Sequence, residues 1–303
     1  MLLFNYLSKY KSLLFILKIM EYLKKKIYTK PVSNDMLINI EWKTEYNIPL
    51  KWFYEKKPKW ISWVARLKNA DCFLEKCLLS HLPFLDELIL VDNMSDDKTK
   101  EICKKMEKKY KKVKFFEYPF YVSPPSDKNF EVPWNSIHSL AYYYNWCFSK
   151  AKYSHVMKVD DDNLLINEKW WDIRKKSLSS KSYNTYRWIN LIKDNNWKIW
   201  TIQGYEYSWK YWDIGIYPVS PYTYYVQWKS WEVFKNNLWK NDCGFWFFHL
   251  KFLKPQFWFH NLLWDDYQKR YESKITNVVY VYNLKNIIGN NDDTNYSKYY
   301  KEF

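Results

Sequence analysis

WISWVARLKNADCFLEKCLLSHLPFLDELILVDNMSDDKT, residues 60–99, is the stretch from which the fold of this chain is read. Ile61 to Leu67 is a short apolar run with the length of a buried strand. Cys72 to Leu82 then places Phe73, Cys77, Leu78 and His81 at helical spacing, and a second apolar run, Leu88 to Val91, ends in Asp92. Beyond it, the charged segment Lys98 to Tyr110 turns Ile102, Cys103 and Met106 to one side, as a surface helix does. Val113 to Phe116 is a third candidate strand. Strands and helices alternate at the spacing of βαβ units, which predicts a mostly parallel sheet with helices on both faces.

Working outward, residues 117–134 read as a loop, with Pro119, Pro124, Pro125 and Pro133. Asn135 to Lys150 reads as an aromatic-rich helix. Ser154 to Val159 is a fourth strand that runs into Asp160, Asp161 and Asp162. In open α/β sheets ligands bind outside the carboxyl ends of the strands, and Arg66, Asp92 and the Asp160 cluster all fall at such ends. Three consecutive carboxylates repel one another and call for a cation. Mg²⁺ or Mn²⁺ binds through one or two carboxylates plus substrate phosphates. In an extended chain Asp160 and Asp162 share one side while Asp161 turns away. The competing reading is a polar turn that caps the next helix, with Asn163 assisting. If the cluster is exposed, neutralising one member should stabilise the chain.

Composition narrows the classes. The 303 residues carry a net charge of +15, much of it in lysine runs such as Lys24 to Lys26 and Lys104 to Lys114. Such runs are usually solvated helix faces, and no nucleic-acid-binding motif accompanies them. With 4 glycines and neither GxGxxG nor GxxxxGK[ST], a dinucleotide-binding Rossmann enzyme or a P-loop NTPase is not expected. Five scattered cysteines without a CxxC pair argue against a zinc or disulfide framework and for a reducing compartment. Residues 1–28 predict a basic amphipathic helix, too short and too charged to span a bilayer and without a cleavage site after it. It would lie on an anionic membrane surface, or dock on the protein's own body or on a second subunit. Residues 29–58, with Pro31, Pro49 and Pro58, read as a connection. Tyr183 to Phe259 is crowded with Trp and Tyr, which suits either a sugar-stacking platform or an ordinary aromatic core.

Residues 60–99 together with SHVMKVDDDNLL, residues 154–165, resemble the opening of a family 2-like glycosyltransferase of the GT-A type with its DxD motif. The resemblance covers roughly residues 60 to 165. It implies an α/β fold, a GT-A type Rossmann-like mostly parallel sheet flanked by helices, here with the N-terminal amphipathic helix. The implied organisation is an extension and linker over 1–55 and a transferase domain over 56–275. That domain divides into a nucleotide-binding half, 56–170, and an acceptor half, 171–275, before a tail over 276–303. By position, Ala65 and Arg66 would border the base and ribose, and Asp92 would accept a hydrogen bond from the base. Asp160 and Asp161 would lie against the nucleotide. Asp160 and Asp162 would hold Mn²⁺ or Mg²⁺, and His249 would be a further metal ligand, unless it is a core histidine bonded to backbone. Two positions depart from the pattern: Met94 stands for the usual small glycine, and Lys98 stands where glycine is common.

The implied reaction moves a sugar from a nucleotide-diphosphate donor, with uridine as the expected base, to a glycan or lipid-linked acceptor. An inverting enzyme also needs a carboxylate to deprotonate the acceptor hydroxyl. The candidates are Asp213, in YWDIGIYP beside an expected turn at Gly215, and the pair Asp265 and Asp266, with Glu206 behind them. The expected location is the cytoplasm or the cytoplasmic face of a membrane, with no nucleic-acid partner. The rivals are a nucleic-acid-binding protein with a basic aromatic surface, an inactive GT-A-like module, and a nucleotidyltransferase. The last usually carries an early Gly-rich phosphate loop that is missing here.

Overall fold

A computed structural model describes residues 16–124, 131–165, 170–193, 199–204, 214–228, 231–251, 254 and 275–280. Helix α1 spans residues 16–28, and a short helix α2 (Lys51–Tyr54) follows two 3-10 turns. The residues between are packed rather than free: Val32, Leu37, Ile48, Trp52 and Phe53 all enter the core. Trp52 Nε1 donates to the Ala151 carbonyl at 2.6 Å.

The apolar runs form strands as their patterns predict. They are β1 (Ile61–Leu67), β2 (Glu87–Asp92), β3 (Val113–Glu117) and β4 (His155–Val159). Between them lie α3 (Leu74–His81), α4 (Thr99–Lys109) and α5 (Leu140–Phe148). β1 pairs parallel with both β2 and β4, and β2 pairs parallel with β3. Side chains alternate across this unit. Trp63, Ala65 and Leu67 join Leu74, Leu78, Cys103 and Met106 on the face of α3 and α4. Val64, Ile89 and Val91 join Ala141, Tyr142 and Cys147 on the face of α5. Each fully buried aliphatic side chain contributes about 1.5–3 kcal/mol, so a one-residue slip in any strand would be costly.

Helix α5 starts later than the aromatic pattern suggests. The Glu41 carboxylate binds Ser136 Oγ and, at 3.0 Å, the Ile137 amide, which holds the backbone in turns before the helix. Ser139 then caps it, its hydroxyl accepting from the Tyr142 amide.

Beyond residue 160 the chain adds β5 (Asn163–Leu165), α6 (Trp170–Ser179), β6 (Ser182–Lys193), β7 (Ile199–Gly204) and β8 (Gly215–Pro218). It continues with β9 (Tyr224–Trp228), β10 (Trp231–Lys235), β11 (Trp239–His249) and β12 (Ile275–Tyr280). The ten-stranded sheet runs β12-β7-β6-β8-β4-β1-β2-β3, with β11 on β6 and β5, while β9 and β10 form a separate hairpin. This corrects the expectation of a mostly parallel sheet. β8 runs antiparallel to β4 and β6, and β7 to β6 and β12, so the sheet is mixed. Only the βαβ part is uniformly parallel, because helical crossovers return each strand in the same direction.

Gly215 is not in a turn. It lies in β8, where an added Cβ would meet the Asn184 carbonyl oxygen and the Tyr183 ring, both at 2.5 Å. Glycine is needed there for close approach of β6. The aromatic stretch is largely interior: Tyr183, Tyr186, Tyr217, Tyr224, Tyr225, Trp246, Phe247 and Phe248 are buried. Among the described residues the core reading of these rings holds over the platform reading. No helix among the described residues is long and apolar enough to cross a membrane.

Two core histidines set a pH limit. His81 stacks on Phe247, meets the Trp63 ring edge-on and shares its Nδ1 with the Cys77 carbonyl at 2.5 Å. His155 contacts Ser154 Oγ at 2.9 Å. Burial pushes both down to about 4. Unfolded, each would titrate near 6.5, so between these values the unfolded chain binds more protons. Stability is therefore full above about pH 6.5 and is lost as pH falls towards about 4. Urea midpoints measured across that range should show a loss of up to about 3 kcal/mol for each histidine. A flat profile would mean that both rings reach water.

Candidate active site

The chain order makes the crevice. From β1 it moves outward to β2 and β3, then returns to β4 on the other side of β1. That reversal is the switch point at which α/β sheets leave a cleft at the strands' carboxyl ends. Arg66 on β1, Asp92 at the end of β2 and Asp160 just after β4 all stand there.

Two clipped loops build the rim. After β1, Asn69 takes a positive φ, and after β2, Met94 does the same at φ 55. The backbone of Met94 thus keeps a left-handed conformation that suits glycine, at a cost of roughly 1–2 kcal/mol. Cross-links offset it. Lys68 Nζ donates to the carbonyls of Asn93 and Met94, each at 3.1 Å. The Ala70 amide donates to Thr99 Oγ1 at 2.7 Å, and the Asp71 amide to Asp97 Oδ2 at 3.0 Å. Asp92 lies buried beneath this rim. Its Oδ2 accepts weakly from the Ser95 amide at 3.4 Å, and its Oδ1 has no hydrogen-bond partner among the described residues. A buried carboxylate oxygen without a donor is costly, and a ligand's N–H would relieve it.

Asp160 is held by cations. Arg66 Nη2 lies 3.3 Å from its Oδ1 and Lys158 Nζ 3.5 Å from its Oδ2. The Arg66 guanidinium also stacks on the Tyr144 ring, 3.4 Å from the centroid. Strand alternation places Ala65 on the opposite side of β1, fully buried in the α3–α4 core. Its side chain therefore does not face this cleft.

Asp161 and Asp162 share one lysine. Lys254 Nζ lies 2.5 Å from Asp161 Oδ2 and 2.8 Å from Asp162 Oδ2. β11 pairs with β5 so that His249 stands opposite Asn163, which brings His249 Nε2 within 3.4 Å of Asp162 Oδ1. Asp162 is buried, not exposed. Burial alone would raise it, but His249 and Lys254 outweigh that and hold it below the usual carboxylate range. Burial and the neighbouring Asp162 push Asp161 up, against the pull of Lys254. The shorter lysine contact belongs to Asp161, yet burial and the repulsion of Asp162 outweigh it and Asp161 moves up. Burial would lower Lys254, and the two carboxylates more than reverse this.

Among the described residues no three His, Cys, Asp or Glu side chains converge as a ready metal cage. Two donors nevertheless fit a cation. Asp162 Oδ1 is buried without a well-formed hydrogen bond among the described residues, and His249 Nε2 stands 3.4 Å from it. Hard divalent ions accept such a partial set when phosphate oxygens and water complete it. Asp213, Asp265, Asp266 and Glu206 lie outside the described residues. Sequence reasoning missed Lys158, Tyr144 and Lys254. Lys158 left a signal, a lysine inside an apolar strand two residues before Asp160. Lys254 left none.

No family model matches the chain, and no curated protein does. Among solved structures it is similar to glucosyl-3-phosphoglycerate synthase from Mycobacterium tuberculosis in complex with Mn²⁺, uridine diphosphate and phosphoglyceric acid. That match has 16% identity over 44% of this chain and 43% of the other, with a TM-score of 0.31. It is also similar to the mannosyltransferase PcManGT from Pyrobaculum calidifontis in complex with GDP-Man and Mn²⁺. There the identity is 13% over 57% of this chain and 43% of the other, with a TM-score of 0.32. The chain spans less than half the length of these solved chains. Likeness at this level assigns no role to any residue.

Proposed function

We propose that the chain transfers a sugar from a nucleotide-diphosphate donor to an acceptor hydroxyl. The observation that carries this reading is the meeting of Arg66, Lys158 and Lys254 with Asp160, Asp161, Asp162 and His249 just after β4, at the same end of the sheet at which Asp92 closes β2. Such a set suits an anionic ligand with a base at one end and phosphates at the other. Asp92 Oδ1 accepts from the base, and Arg66 stands beside the ribose. Asp162 and His249 would hold a divalent cation, Mn²⁺ or Mg²⁺, with Asp160 and Asp161 beside them. Negative charge on the departing diphosphate is what a cation held there stabilises.

In the transfer, the bond between the anomeric carbon and the diphosphate oxygen breaks, and its electron pair leaves with the diphosphate. The acceptor oxygen forms the new bond and gives its proton to a carboxylate, for which Asp213, Asp265 and Asp266 remain the candidates. The cationic side chains Lys254 and Lys158 face the growing charge. We take 56–170 as the donor half of a domain over 56–275 and 171–275 as the acceptor half. A uridine donor, a glycan or lipid-linked acceptor and a cytoplasmic location complete the proposal.

A melting experiment tests it. Uridine diphosphate with Mn²⁺ at about 100 times its dissociation constant should stabilise the protein by roughly 2.7 kcal/mol. For a chain of this size each kcal/mol raises the melting point by about 2–4 °C, so a rise of several degrees is expected. Guanosine and cytidine diphosphates run beside it identify the base. If no nucleotide diphosphate moves the curve with any divalent ion, while single-stranded nucleic acid does so at low salt, the chain binds nucleic acid instead.

A further inference from the structure

Among the described residues, helix α1 meets the body along one side. The Tyr22 ring packs edge-on against Trp239, with centroids 5.6 Å apart. Just past the helix, Thr29 Oγ1 donates to the Asn236 carbonyl at 3.2 Å, and Val32 N to the Pro221 carbonyl at 2.7 Å. The side turned away from the body is apolar. Ile16, Met20, Leu23 and Ile27 follow one another at spacings of four, three and four, which forms a single helical stripe. Their exposures are 53%, 50%, 49% and 72%. At 3.6 residues per turn, Lys24 and Lys26 fall on the two flanks of the stripe, and both are exposed. The helix carries four lysines against a single glutamate, Glu21, which Lys25 already holds at 2.9 Å.

We propose that α1 docks the protein on an anionic bilayer surface, in the plane of the interface. The Ile16–Met20–Leu23–Ile27 stripe enters the headgroup–acyl boundary, and Lys24 and Lys26 reach lipid phosphates on either side. Charge selects this occupant over a second copy of the chain. Pairing two stripes would set flanking lysines of both copies close together with no free carboxylate on the helix to answer them. An anionic surface answers both lysines, each worth about fivefold in binding. This goes beyond the sugar-transfer reading and stands or falls without it.

The test is co-sedimentation of the full chain with vesicles of phosphatidylcholine, alone or mixed with phosphatidylserine. The chain should pellet with the mixed vesicles and not with phosphatidylcholine alone, and added salt should release it. Met20→Glu and Leu23→Glu should each lower the partition about tenfold, and Lys24→Glu about fivefold or more. The melting curve without vesicles should stay unchanged in all three. Lys24→Glu, altered only at a solvated flank, keeps the test decisive if an apolar substitution disturbs folding. Equal binding to both vesicle types, or none to either, overturns the proposal. So does a chain that elutes as a dimer which Met20→Glu converts to monomer, since the stripe would then be covered by its own copy.

Discussion

Asp162→Asn is expected to lower sugar transfer by about 10²–10³-fold, the usual effect of removing one preorganised group that answers charge in the transition state. The substitution keeps shape and removes charge. One oxygen becomes an NH2 that cannot accept, so a single neutral oxygen is left to answer both His249 at 3.4 Å and Lys254 at 2.8 Å. The structure also reverses the stability expectation drawn from an exposed cluster. Asp162 is buried and is held below the normal carboxylate range by His249 and Lys254. Relief of repulsion from Asp161 is therefore outweighed, and the variant should lose about 1–3 kcal/mol. A carboxyl depressed in the fold stabilises above its unfolded value near 4 and loses that contribution as pH drops further. Asp162→Asn should thus flatten the acid limb below about pH 4. Transfer within a few-fold of wild type would remove Asp162 from the reaction.

Lys254→Ala is expected to act on stability first and on metal affinity second. The buried Asp162 and the half-buried Asp161 would lose their shared ammonium, and breaking a buried pair from one side costs about 3–5 kcal/mol. That corresponds to roughly 10 °C in melting point at about 2–4 °C per kcal/mol. The same loss removes the competing positive charge, so Mn²⁺ should bind the variant at least about tenfold more tightly, one like charge in a poorly screened site being worth that much. Mn²⁺ should then restore part of the lost stability. Calorimetric Mn²⁺ titrations of both proteins, with melting curves in chelator and in Mn²⁺, read all three effects. Unchanged melting together with unchanged affinity would mean that Lys254 does not sit on the cluster in solution.

Legibility followed chain distance. The four parallel strands and the helices between them were readable from residues 60 to 165, because each is a local apolar period bounded by a polar end. Asp92 and Asp160 were readable for the same reason, as carboxylates that close apolar runs. Met94 shows what a pattern misses. It departs from the glycine of the resembling family, yet the backbone holds the left-handed turn through Lys68 and the clips from Asn69 to Asp97. Past residue 180 the periods blur, since β6, β8 and β11 are covered by aromatic side chains that pack in the core. Gly215 therefore read as a turn although it is a point of strand-to-strand contact.

By itself the sequence determined the order of strands and helices around the Asp cluster and the end of the sheet at which the carboxylates gather. Local hydrophobic period and the direction of a strand are enough for that. Tertiary structure decided which charge meets which. Lys254 lies 92 residues beyond Asp162 in number and His249 87 beyond it, yet both reach it because β11 runs back beside β5. It also decided that Asp162 is buried and countered where the sequence alone showed three bare carboxylates. Ion pairing between distant elements depends on how the chain closes, and no period along the sequence records that closure.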